Sequence, residues 1–110
     1  MNISKEAQEN IQRLQIMEQN AQTISLQRQQ FQAQLFEVEG ALKELETSPV
    51  AFKIVGGIMV GADKAALKSE LEGKREVLEV RVQTLEKQEK QLKEKAKKLQ
   101  EEVLASVKKE

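Results

Sequence analysis

The stretch FKIVGGIMV, Phe52 to Val60, differs in composition from everything on either side of it. It is apolar and β-branched, with Gly56-Gly57 at its centre. Tight two-residue turns need residues that accept positive φ, so Gly-Gly between two β-rich runs predicts a β-hairpin. Such a turn pairs Val55 with Ile58, Ile54 with Met59 and Lys53 with Val60. Strand side chains alternate between faces. One face then carries Val55, Ile58 and Val60, with Lys53 at its edge, and the other carries Phe52, Ile54 and Met59. Both faces are apolar. An isolated two-stranded hairpin is marginal in water, while full burial of such side chains contributes about 1.5–3 kcal/mol each. No second strand-like run exists in the chain, and the flanking segments are polar. The hairpin is therefore expected to be completed by other chains, through Phe52, Ile54, Val55, Ile58, Met59 and Val60.

Outward from the hairpin, both flanks read as long helices. Ser4 is placed to cap the first, and Glu6 suits its positive dipole end. From about residue 4 to 47 the pattern is heptad: Ala7, Leu14, Ala21, Leu35 and Leu42 recur at one seam position, and Ile3, Met17, Ile24, Phe31, Val38 and Leu45 at the other. Spacings that alternate between three and four residues are what a coiled-coil seam requires. Asn10 and Arg28 are its polar exceptions. Pro49 removes an amide donor and pushes Ser48 out of the helical region, which ends the helix. After the hairpin, at about 51–61, Asp63 is an N-cap candidate for a second helix over about 63–108. Leu71, Leu78, Leu85, Leu92 and Leu99 mark one of its seam positions. Val82, Ala96 and Val103 mark the other, with Arg75 and Glu89 as charged exceptions. At 1.5 Å per residue each helix would be roughly 60 Å long.

Two helices of equal length around a hairpin predict fold-back into an antiparallel coiled coil, with both termini at one end. In that arrangement Arg28 and Glu89 fall in adjacent seam layers. Buried charges need partners and polar seam residues are register devices, so the pair is expected to neutralise itself and set the register. Gly40 and Gly73 fall at one height in the helix pair and face outward. Apolar residues off the seam form two groups. Phe36, Leu67, Val77 and Val80 lie toward the hairpin. Ile11, Ile16, Leu104 and Val107 lie toward the free end, beside Ile3, Met17 and Val103, and all are expected to be exposed there or to become so when the end frays. Ile3, Ile11, Met17, Val103, Leu104 and Val107 form the expected apolar contact site, ringed by Glu101, Glu102, Lys108 and Lys109.

Composition excludes several classes of function. The 110 residues carry 18 Lys+Arg and 18 Asp+Glu, one third of the chain is charged, and aromatics make up only 3%. That is the composition of long helices rather than of a compact core. The net charge of zero argues against a bulk nucleic-acid binder. There is no Cys and no His, so thiol chemistry, the usual general base and the commonest metal ligand are absent. No GxxxxGK[ST] phosphate loop occurs. No catalytic, cofactor or metal site is expected, and an enzyme is disfavoured. No apolar run reaches the ~20 residues that span a bilayer, and MNISKEAQEN has no signal-peptide core. The expected location is the cytoplasm.

Taken together, FKIVGGIMV between two heptad helices and the run ELEGKREVLEVRVQTLEKQEKQLKEK from Glu70 to Lys95 resemble the prefoldin family over essentially the whole length. The likeness is to the β-type subunit, most of all the archaeal form, which has a single hairpin where the α type has two. The resemblance implies one prefoldin-type domain over residues 1–110, mainly α, whose hairpin joins an intersubunit β-barrel. It implies an α2β4 hexamer with an α-type subunit and further β subunits. It also implies an ATP-independent holdase that binds unfolded polypeptide at coiled-coil tips and delivers it to a group II chaperonin. A plain coiled-coil scaffold or adaptor is the competing reading, for which the hairpin would be incidental.

Overall fold

A computed structural model of the chain describes residues 3–109, with side chains described through Lys108. The element order is α1 (Lys5–Thr47), β1 (Ala51–Val55), β2 (Ile58–Ala62) and α2 (Lys64–Lys109). The fold is thus mainly α, two long helices joined by a two-stranded antiparallel hairpin.

Local chemistry sets each boundary. The Ser4 hydroxyl accepts a hydrogen bond from the Ala7 amide at 3.1 Å, so one of the first-turn donors of α1 is satisfied. The interior of α1 is dominated by Gln, Glu, Leu and Ala, which lose little on entering a helix. It ends at Thr47, two residues before Pro49. The Asp63 carboxylate accepts from the Ala66 amide at 3.0 Å and caps α2. The Lys64 ammonium donates to the Ser48 carbonyl at 2.9 Å and ties the start of α2 to the end of α1.

In the hairpin Val55 pairs with Ile58, Ile54 with Met59 and Lys53 with Val60, and pairing extends to Phe52 with Gly61 and Ala51 with Ala62. Gly56 and Gly57 have φ of 56° and 80°. Two successive positive φ values mark a type I′ turn, whose twist matches that of the strands and which excludes most side chains.

The chain packs as two compact units. The hairpin unit is Gln29–Val82, and the terminal unit is drawn from Met1–Arg28 and Gln83–Glu110. The hairpin unit contains the buried cluster Val38, Leu42 and Leu78, against which Phe31, Leu35 and Leu71 are packed. Leu45 and Val82 are also buried. The Arg81 guanidinium lies over the Phe31 ring, 5.3 Å from its centroid, and screens one side of the seam. In the terminal unit the buried apolar residues are Ala7, Leu99 and Val103. Leu14, Met17, Ala21, Ile24, Leu85, Leu92 and Ala96 are half-buried.

Candidate functional site

No helix among the described residues is long and apolar enough to cross a membrane. No group of His, Cys, Asp and Glu among them is arranged to hold a metal ion. What the chain offers is surface, in three places.

The first is the hairpin. Phe52, Ile54, Val55, Ile58, Met59 and Val60 are all exposed, with Ile54 at 70% and Ile58 at 66%. Directly paired residues share a face, so Ile54 and Met59 stand with Phe52, and Val55 and Ile58 stand with Lys53 and Val60. The Lys53 ammonium meets both carboxylate oxygens of Glu70 on α2, at 3.0 and 3.1 Å. This bridge joins the hairpin to its helix across 17 residues of sequence and brings the Lys53 edge to α2. Both partners are exposed, so its contribution to stability is small. On the helices of the same unit, Phe36 is 77% exposed, and Val77 and Val80 are exposed too. Leu67 is half-buried rather than exposed. It occupies a position that flanks the seam, where the facing helix covers part of the side chain.

The second place is the ion cluster of the terminal unit. The structure brings Arg28 and Glu89 together: Arg28 Nε donates to Glu89 Oε2 at 2.7 Å, across 61 residues. Lys93, one turn along α2, donates from Nζ to Glu89 Oε1 at 3.0 Å. Glu89 is the one buried charged residue among those described, at 8% exposure. The hydrogen bond from the Arg28 guanidinium, with a second from Lys93, holds its carboxyl below the ordinary glutamate range, against the opposite push of burial. Sequence reasoning found Arg28 and Glu89 and missed Lys93, although the i,i+4 spacing of Glu and Lys on a helix was there to read.

The third place is the apolar surface of the terminal unit. Ile3, Ile16 and Leu104 are exposed, Ile3 the least of them at 36%. Ile11 and Val107, expected to be exposed, are half-buried. Ile11 follows the seam residue Asn10, and Val107 follows Ser106, which continues the seven-residue spacing of Leu92 and Leu99, so each flanks the seam, where a facing helix covers part of a side chain. In an antiparallel pair these flanking positions of the two helices line the same side, and Leu104 stands next to Val107 on that side. Met17 is half-buried and Val103 is buried at 8% exposure, so both are seam residues while the pair is closed. Leu26, which the sequence reading left out, is exposed on the outer face of α1. The exposed tip charges include Glu101, Glu102 and Lys108. Met1 and the Lys109 side chain lie outside the described residues.

Comparison with known proteins adds to this geometry. The sequence model of a family described as prefoldin subunit matches residues 8–110. The prefoldin subunit beta of Methanothrix thermoacetophila is 34% identical over 105 residues, which cover 93% of this chain and 88% of that protein. That of Methanospirillum hungatei is 37% identical over 110 residues, covering 97% and 92%. The crystal structure of the prefoldin beta subunit from Thermococcus strain KS-1 is similar with a TM-score of 0.87 and 37% identity, covering 94% of each chain.

Proposed function

Because the chain belongs to the prefoldin subunit family, whose members are chaperone subunits, we propose that it is a β-type subunit of an ATP-independent holdase. It acts in the cytoplasm as part of an α2β4 hexamer with an α-type subunit and further β subunits. Residues 1–110 act as one prefoldin-type domain. The hairpin joins the hexamer: Phe52, Ile54 and Met59 on one face and Val55, Ile58 and Val60 on the other are covered by neighbouring hairpins in a shared barrel. Arg28 and Glu89 fix the register of the helix pair, since a slip would place each charge against apolar seam residues. Clients are unfolded polypeptides, held by Ile3, Ile11, Leu104 and Val107, with Met17 and Val103 joining when the end opens. The complex passes them to a group II chaperonin.

The observation that carries this reading is the hairpin with two apolar faces, both open to solvent in the single chain. Contacts at each free end are few and weak. Several ends acting on one client raise the effective concentration of sites, so capture is firm while each contact releases readily. Met and aliphatic side chains accept many client shapes. The charges around the end keep the unloaded complex soluble and steer docking.

The test is a chain trimmed to residues 12–102, assembled with an α-type subunit. It is expected to form a complex of full subunit number by light scattering but to lose ATP-independent suppression of aggregation of a denatured client. Undiminished suppression by the trimmed, assembled complex would move the client site away from the free end.

A further inference from the structure

The terminal unit is closed at its two ends by very different chemistry. Toward the termini its seam alternates Leu14, Met17, Leu92, Leu99 and Val103 with Ala7, Ala21 and Ala96, whose methyl groups bury little area, and with Asn10, which is polar. Apolar burial scales with area, so the alanine and asparagine positions weaken the hold between the helices. Helix ends also lack part of their backbone partners and open with low free energy. At the other limit of the unit, in sequence, stand Arg28 and Glu89. There both oxygens of a buried carboxylate are taken, by Arg28 from one helix at 2.7 Å and by Lys93 from the other at 3.0 Å. Among the described residues no buried side-chain nitrogen or oxygen lacks a partner.

We infer that the Arg28–Glu89–Lys93 cluster is a stop: the helix pair opens from its free end as far as this layer and no further. Each step of opening through an alanine layer releases little burial. The step through the ion layer separates a short charge-assisted bond between the helices, and such bonds are the strong ones. Glu89 titrates below the ordinary glutamate range, so the folded surroundings favour the carboxylate more than water does. The two cations therefore outweigh the cost of burying it. The stop sets how much seam the free end offers when open, namely Leu14, Met17, Leu92, Leu99 and Val103. Only this consequence rests on the proposed capture of clients at the free end; the stop itself is a property of the helix pair.

The test is residue-resolved hydrogen exchange on the assembled complex, with aggregation suppression measured on the same samples. In the wild type, amides of residues 5–24 and 92–108 are expected to exchange fast, with a step to slow exchange at residues 28 and 89. Glu89→Gln keeps the shape of the side chain and removes the charge. It should move the step past this layer, speeding exchange at residues 29–35 and 76–82 by about tenfold or more, the scale set by one charge-assisted hydrogen bond. Arg28→Leu with Glu89→Leu leaves the alanine layers as they are, so exchange at residues 14–24 and 92–103 should stay fast. A step that stays in place in Glu89→Gln, or a wild type without one, would overturn the stop. Exchange that follows the expectation with no change in aggregation suppression by Glu89→Gln would leave the stop standing and remove client capture from the opened seam.

Discussion

The hairpin unit and the terminal unit are built on one heptad and differ in what fills it. In the hairpin unit the seam positions hold Phe31, Leu35, Val38, Leu42, Leu45, Leu71, Leu78 and Val82, with Arg75 as an exception; in the terminal unit Leu14, Met17, Ile24, Leu85, Leu92, Leu99 and Val103 alternate with Ala7, Asn10, Ala21, Glu89 and Ala96. Periodicity determines that both stretches pair as helices. Side-chain size determines how firmly, because burial contributes in proportion to area. The hairpin unit joins the firmest seam to the most exposed apolar surface, at Phe36, Ile54 and Ile58. A rigid base under an open apolar sheet suits a permanent interface. The terminal unit joins a seam interrupted by small and polar side chains to scattered exposed residues, Ile16, Leu26 and Leu104, which suits contacts that form and break.

The sharpest way to break this contrast is at the hairpin itself. Ile54→Asp with Ile58→Asp puts unpaired charge on both faces of a sheet that the proposed assembly would bury. The variant should remain helical by circular dichroism and lose the hexamer entirely in light scattering with an α-type subunit. Retention of a full-size complex would show that the faces are not the interface. Next in size are paired truncations of the two seams. Leu78→Ala removes a side chain that is 4% exposed in the buried cluster and should cost about 2–5 kcal/mol in denaturant unfolding. Leu99→Ala, at 7% exposure beside half-buried Met17 and outside the buried cluster, should cost distinctly less, and equal costs would erase the distinction between the units.

Acid sharpens it further. Glu89 has a depressed folded value, so its contribution is complete above the range of an unfolded glutamate, about 4.3, and is lost as pH falls through the lower folded value. Arg28 faces it from α1; from α2 it is faced by Lys93 and shares its cleft with Glu86, Lys90, Glu94 and Lys97. Because other carboxylates also titrate, the reference is Glu89→Gln. The Tm difference between wild type and Glu89→Gln should be constant above about pH 5 and shrink below the ordinary glutamate range. A difference that does not change with pH would mean that the carboxylate charge is not what the cluster uses. The smallest effect concerns Gly40 and Gly73, helical and open to solvent, where an added Cβ meets nothing within 4 Å. Alanine at each should stabilise by about 0.5–1 kcal/mol. A loss of stability at either would show that the glycine serves an interface between chains.

The heptads, the hairpin register and its two apolar faces were legible in the sequence because each is a local pattern with a fixed period. The meeting of Arg28 and Glu89 was legible because opposite charges stood at seam positions that fold-back brings to nearly one height. The exposure of Ile11, Leu67 and Val107 was misjudged because residues flanking a seam are neither in it nor outside it. How much the facing helix covers them depends on how closely the helices approach. The Lys53–Glu70 bridge was not legible at all, since it depends on how the hairpin leans against α2, and no periodicity encodes that angle.

The central claim is that the hairpin holds the assembly and the free end holds the client. It is tested most directly by placing a photo-crosslinking residue at Ile58 in one sample and at Leu104 in another, each in the assembled complex loaded with an unfolded client. Crosslinks from position 58 to other subunits, and from position 104 to the client, are the predicted result. Client crosslinks from position 58, with none from position 104, would contradict it.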